Sequence, residues 1–182
     1  MKATGIVRRI DDLGRIVIPK EIRRTLRLRE GTPLEIFTDK EGEVILKKYS
    51  PMAELGSFAK QYAESLSSSL GQKVAVCDRD QIIATAGGGK KELLGKSISR
   101  ELEEIINSRE NVGYQGRDDK MIPLVQGDEE GYTAQMVYPI LVEGDCAGAV
   151  LIYSKEQKVR FSESEQKAAA CAAMFLGRQM ES

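Results

Sequence analysis

Apolar residues in the first third of the chain come in short runs broken at close intervals. Ile6-Val7 and Ile16-Val17-Ile18 flank Asp12-Leu13-Gly14, and Ile22 and Leu26 recur one helical turn apart behind Pro19. Two short strands about a tight turn, followed by a short helix from Lys20 to about Leu28, are the expected elements. Gly14 suits the left-handed backbone such a turn demands, and Pro19 suits a helix start, where its missing N–H costs nothing. After Glu30-Gly31-Thr32-Pro33, the alternation in Leu34–Thr38 and Glu43–Lys48 predicts a hairpin turning at Asp39–Gly42. Four short strands and one helix bury too little apolar surface to stand alone, so two copies sharing one core are expected.

Past Ser50-Pro51 the period changes. Met52, Leu55, Ala59, Tyr62, Leu66 and Ser69 step by threes and fours, with Phe58, Ala63 and Leu70 widening the stripe and Gly71 ending it. Such a helix either packs on its own domain or joins the two halves and packs against copies of itself. Lys73–Cys77 and Gln81–Thr85 then read as a hairpin turning at Asp78-Arg79-Asp80. A helix capped by Ser97 or Ser99 runs to about Ser108, and a polar, glycine-dotted stretch covers 111–131. Tyr132–Leu141 and Gly148–Tyr153 are two strands joined at Glu143-Gly144-Asp145. Ser162-Glu163-Ser164-Glu165 is a capping box for an alanine-rich helix ending near Gln179. The expected organisation is residues 1–52 as one domain, 53–70 as a linking helix, and 71–182 as a second domain that takes this helix as its first.

Charge is divided between these halves. Residues 1–50 hold 12 Lys+Arg against 8 Asp+Glu, net +4, whereas the remainder holds 15 against 20, net −5. A basic head on an acidic body fits an anionic partner at one end only. The chain of 182 residues has no apolar run long enough to cross a bilayer and opens on Met1-Lys2 without a secretory pattern, so a cytoplasmic location is expected. Three widely spaced cysteines (Cys77, Cys146, Cys171) form no paired motif, and histidine is absent. This argues against disulfides, a metal centre, a Ser-His-Asp triad and the usual general base, so neither a catalytic residue nor a cofactor is expected.

The candidate chemistry is therefore arginine. Arg8, Arg9, Arg15, Arg23, Arg24, Arg27 and Arg29 crowd the small first unit, and guanidinium groups bind phosphates and read guanine edges. The bland alternative is a solvated face paired with Asp11, Asp12 and Glu21. Gly87-Gly88-Gly89-Lys90-Lys91 imitates a phosphate loop, but G-x-x-x-x-G-K-[ST] ending at Gly95-Lys96-Ser97 requires a glycine where Lys90 stands. It is read as a flexible turn. Asp118-Asp119 and Asp128-Glu129-Glu130 lack the spacing of a cation loop. Met136, Tyr138 and Phe175 are core residues or the lining of a ligand cavity.

The run TGIVRRIDDLGRIVIPKEIRRTLRLREGTPLEIF, ending in VILKKYSP, resembles the swapped-hairpin DNA-binding domain of AbrB-like transition-state regulators. That resemblance implies an N-terminal swapped-hairpin β-barrel of two interleaved chains. It also implies double-stranded DNA as partner, met by Arg8, Arg15, Arg23 and Arg24, with Arg9 where a basic residue is usual. The second half is similar to GAF domains through MVYPILVEGDCAGAVLIYS and the helix after it, which implies a C-terminal α/β sensor domain and leaves open both whether a small molecule binds and which one. The expected whole is an α+β, DNA-binding transcription regulator of sporulation genes. Two N-terminal dimers would join into a tetramer through the seam Met52, Leu55, Ala59, Tyr62, Leu66 and the face Ala168, Ala169, Ala172, Ala173. The alternative is an antitoxin-type protein that engages a partner through its C-terminal half.

Overall fold

In the computed structural model, residues 5–49, 56–115, 119–128, 131–157 and 159–181 are described. The chain divides into two compact units, one within Met1–Tyr49 and the other within Ser50–Ser182.

The first unit holds α1 (Lys20–Thr25) and a hairpin of β1 (Leu34–Thr38) and β2 (Val44–Lys48). The strands pair antiparallel from Leu34↔Lys48 to Thr38↔Val44. Asp39 closes their turn, its Oδ1 accepting the backbone N–H groups of Glu41 (3.0 Å) and Glu43 (2.9 Å). Two expectations fail here. The helix stops at Thr25 rather than near Leu28, because Arg27 adopts φ 52° and Leu28 N–H returns to the Arg23 carbonyl at 2.7 Å. Residues 5–10 and 15–19 form no strands within the chain. A ladder needs a partner for each backbone group, and among the described residues the turn is closed by two backbone bonds, Asp11 N–H to Arg15 O and Gly14 N–H to Asp11 O.

The second unit opens with α2 (Gly56–Leu70). There follow β3 (Lys73–Asp78), β4 (Ile82–Ala86), the short α3 (Lys90–Leu93), α4 (Arg100–Ser108), β5 (Val112–Gln115), β6 (Ala134–Val142), β7 (Asp145–Ser154) and α5 (Glu163–Met180). The sheet is antiparallel throughout in the order β4-β3-β7-β6-β5. The central β3, β6 and β7 are near-continuously apolar because both faces are covered. One face packs Val74, Val76, Met136, Val150 and Ile152 against Ala59, Ala63 and Leu66 of α2 and Ala169, Ala172 and Leu176 of α5. The other packs Ala75, Cys77, Val137, Leu151 and Tyr153 against Leu102 and Ile106 of α4 and the loop residues Leu124 and Val125.

That loop is stitched down by buried polar side chains. The Gln135 amide accepts from Ile122 N–H (2.9 Å) and donates to Ile122 O (2.7 Å), taking the place of a neighbouring strand. Ser99 caps α4 by accepting Leu102 N–H at 3.0 Å and donates its hydroxyl proton to Pro123 O at 2.6 Å. The stretch expected to be irregular thus contributes β5 and a covering layer. At the β6–β7 hairpin, Glu143 (φ 49°) and Gly144 (φ 87°) form a two-residue turn whose left-handed residues match the strand twist. Ser162 and Glu165 form the expected reciprocal box at the start of α5.

The alanine-rich face of α5 lies on the sheet, with Ala169 and Ala172 fully buried, so it is not the assembly face expected of it. Gly177 lets the helix approach β6, where a Cβ would overlap the Leu141 carbonyl. Gly177→Ala should therefore lower stability by about 1–3 kcal/mol through overpacking, although alanine is the better helix former by about 1 kcal/mol. Denaturant unfolding checks this, and a gain in midpoint would show that the contact relaxes freely.

Candidate nucleic-acid interface

The basic residues of the first unit include one held in a closed loop. Asp11 accepts the backbone N–H groups of Leu13 (3.0 Å) and Arg15 (2.7 Å) on Oδ1, and the Arg15 guanidinium Nε at 2.7 Å on Oδ2. Gly14 donates its N–H to Asp11 O at 3.0 Å and takes φ 75°, the left-handed conformation expected of it. The Arg15 N–H, then its guanidinium, hold the Asp11 carboxyl below its ordinary value. A depressed carboxyl stabilises its loop above the ordinary carboxylate range and loses that contribution as pH falls through the folded value.

Arg15 is thus partly engaged, but a guanidinium has five donors, and its side chain remains 69% exposed. Arg8 donates to its neighbour Val7 O at 3.1 Å, and Arg8 and Arg9 are both exposed on the segment before the loop. Arg23 and Arg24 stand exposed in the last turn of α1, where cations also suit the helix carboxyl end. Arg27 closes that helix, a role that reading it only as positive charge misses. Among the described residues, Arg8, Arg9, Arg23 and Arg24 enter no ion pair, so the solvated-face alternative accounts only for Arg15.

No described residue of this unit is buried. Val7, Ile10, Leu13, Ile16, Val17, Ile36 and Val44 all stand exposed, Val7 at 83% and Val17 at 72%. A soluble unit does not leave so dense an apolar set in water without a partner surface.

The seam expected on α2 fares differently by residue. Ala59 and Leu66 are buried in the core of their own unit, so they are unavailable to a copy. Tyr62 is half-buried and stacks on Phe175 of α5, ring centroids 5.1 Å apart, while Phe58 stacks on the same ring at 5.9 Å. Met52 and Leu55 lie outside the described residues. Of the residues weighed as cavity lining, Met136 is core, Tyr138 packs at its margin, and Phe175 joins this aromatic stack.

Comparison with known proteins joins the two units. The model of "Stage V sporulation protein T C-terminal, transcription factor" matches residues 54–181, and that of "Antidote-toxin recognition MazE, bacterial antitoxin" matches 7–54. The chain is 59% identical over 181 residues to Stage V sporulation protein T of Bacillus subtilis, covering 100% of this chain and 99% of that protein. The chain belongs to the stage V sporulation protein T family. It is accordingly a sporulation transcription regulator with an AbrB-like DNA-binding unit. That unit is 61% identical over 51 residues to the B. subtilis transition state regulatory protein AbrB, a match covering 28% of this chain and 52% of that protein. The second unit shares its fold with the GAF domain of an Acinetobacter phosphoenolpyruvate-protein phosphotransferase. That structural match has a TM-score of 0.57 and 14% identity, and covers 74% of this chain and 84% of the other.

The loop geometry carries a direct test. Nothing obstructs a Cβ at position 14, so only backbone strain opposes Gly14→Ala. The substitution should cost roughly 1–2 kcal/mol and displace Arg15, weakening DNA binding along with the melting temperature. A wild-type melting temperature would show that the left-handed turn does not hold the loop.

Proposed function

We propose that two copies interleave their first units into one shared core and present Arg8, Arg9, Arg15, Arg23 and Arg24 from both chains to double-stranded DNA. The observation that supports this most is the absence of any buried side chain among residues 5–49 beside so many exposed aliphatic ones. Pairing supplies the missing core, extends the strand pattern at 5–10 and 15–19 into a shared ladder, and doubles the arginine set. The domain boundaries proposed are 1–52 for the head, 53–70 for a linking helix and 71–182 for the sensor-like domain that includes it. A regulator of this kind acts where the chromosome is, in the bacterial cytoplasm, and we assign no reaction to it.

For assembly beyond the dimer, the outward side of the α2–α5 pair replaces the seam read from spacing. Phe58 (39% exposed), Tyr62 and Phe175 form an aromatic surface on unit two, and Met174 (57% exposed) stands exposed on the same helix as Phe175. A second copy of that surface would bury it, joining two DNA-binding dimers into a tetramer. Two heads on one particle gain avidity of about 10²–10⁴ where geometry allows both to bind. An antitoxin reading shares the first unit, but antitoxin tails that wrap a toxin need not be packed domains, and this second unit is one.

Two outcomes are expected. Affinity for operator DNA should fall steeply with salt. Arg23→Ala or Arg24→Ala should flatten the log–log slope by about 0.9 for each phosphate no longer neutralised, while leaving the melting curve unchanged. An unaltered slope in a folded variant removes that arginine from the interface. Phe58→Glu with Met174→Glu should turn a tetramer into dimers in sedimentation and weaken binding to two-site DNA far more than to one-site DNA. Full-length wild type sedimenting as a dimer would end the assembly proposal.

A further inference from the structure

The turn at 11–15 has a counterpart in the same unit. Asp39 closes the β1–β2 hairpin as Asp11 closes its loop. In each, the aspartate Oδ1 accepts the N–H groups two and four residues on, Glu41 and Glu43 in the hairpin, Leu13 and Arg15 in the loop. The fourth residue is glycine in both, Gly42 (φ 83°) and Gly14 (φ 75°), and it donates its N–H to the aspartate carbonyl. A backbone bond from the aspartate N–H to the fifth carbonyl completes each turn, at 3.2 Å to Glu43 and 3.0 Å to Arg15. The difference lies in the fifth side chain. Arg15 stands where the hairpin has Glu43, and its Nε donates to Asp11 Oδ2 at 2.7 Å.

The guanidinium contact is therefore not what closes the turn, since the hairpin turn closes without one. Nor is it a source of stability: both side chains are exposed, at 69% and 38%, and exposed ion pairs contribute little. For a phosphate contact its effect is adverse, because the carboxylate offsets the charge that draws a phosphate. Arg8, Arg9, Arg23 and Arg24 enter no ion pair among the described residues and keep that charge whole. What the contact supplies is direction. A guanidinium is a rigid planar fork of five donors, and holding Nε restricts its plane while sparing the four N–H groups of the terminal nitrogens.

We propose that Asp11 positions Arg15 to read a guanine in the major groove, the two terminal nitrogens donating side by side to O6 and N7. Reading a base edge depends on where the N–H groups point, and guanine offers the two neighbouring acceptors that the fork matches. Adenine sets a donor beside its N7 and so opposes it. Entry into a narrow minor groove draws on positive charge, which Asp11 offsets. Arg15 thus selects sequence, and the unpaired arginines hold the phosphates. The inference rests on the DNA-binding face proposed above and divides the labour within it: Arg15 touches the base, and Asp11 acts through Arg15.

The test selects duplexes from a random-sequence library with the full-length protein and sequences those retained. Wild type should enrich sites carrying at least one fixed guanine. Replacing the enriched guanines one at a time by 7-deazaguanine, which lacks the N7 acceptor, should weaken binding at one position by about fivefold or more. Arg15→Lys keeps the charge and loses the fork, so it should lose both the guanine preference and the 7-deazaguanine effect. Asp11→Asn keeps an oxygen for the two loop N–H groups and removes the acceptor of Nε. It should lose the guanine preference while affinity for bulk DNA rises, the salt slope steepening by about 0.9 for each phosphate the released guanidinium takes. An Asp11 that only closes the loop gives the reverse, the same motif bound more weakly in every sequence. That result, or an unchanged motif with Arg15→Lys, overturns the proposal. Where Asp11→Asn lowers the melting temperature, Arg15→Lys and the 7-deazaguanine duplexes decide. Wild type that binds DNA without enriching any guanine overturns the base-reading role and leaves the DNA-binding face standing, whereas binding to no duplex sinks both.

Discussion

The first unit spends its apolar residues on surfaces rather than on a core. Burying a side chain of the size of valine or isoleucine is worth about 1.5–3 kcal/mol, and Val7, Ile16, Val17 and Ile36 forgo most of it within one chain. A segment this short has too little interior to do otherwise. Association is thus the condition on which the DNA-binding surface exists at all. The same condition couples folding to recognition, because the turn closed by Asp11 and Gly14 lies between residues 5–10 and 15–19, which form no strand among the described residues. What fixes Arg15 in space is consequently partly local, the Asp11 bonds, and partly supplied by a second copy.

The second unit meets the opposite circumstance. Its sheet has both faces covered. The outward side of the α2–α5 pair carries an aromatic stack, where Phe175 meets both Phe58 and Tyr62. Val74 and Val76 of β3 point to the α2 side while Ala75 and Cys77 point to the other, so one strand is packed in both layers. The buried Cys77 thiol is pushed up by burial and is inert packing material.

Much of this is legible in the residues, and the failures have a common cause. Local chemistry speaks clearly: the Ser162–Glu165 box, the Glu143-Gly144 turn, the Asp39 turn and Gly14 are each decided by a few adjacent residues. Periodicity is less informative, because it says that one side of a helix is apolar and not what covers it. Ala59 and Leu66 have the spacing of a seam between copies and are core; the alanines of α5 mislead in the same way. The runs at 5–10 and 15–19 have the pattern of strands, and neither is a strand among the described residues. The end of α1 is misplaced because Arg27, a poor candidate for positive φ, takes φ 52°.

Charge completes the division of labour. DNA attracts the head, at net +4 over residues 1–50, and repels the remainder, at net −5. At the ~8 Å Debye length of physiological salt, a repulsive body matters only where it comes near the duplex. In the proposed interface the attraction comes from Arg8, Arg9, Arg15, Arg23 and Arg24, and each phosphate they neutralise would release counterions on binding. Lowering salt therefore strengthens the head's grip and extends the reach of the body's repulsion together. An acidic second unit would therefore disfavour any pose that lays it along the duplex and would leave the arginine-bearing end as the approach that loses least. Selecting that end would then need no base contact from the second unit, only its sign of charge.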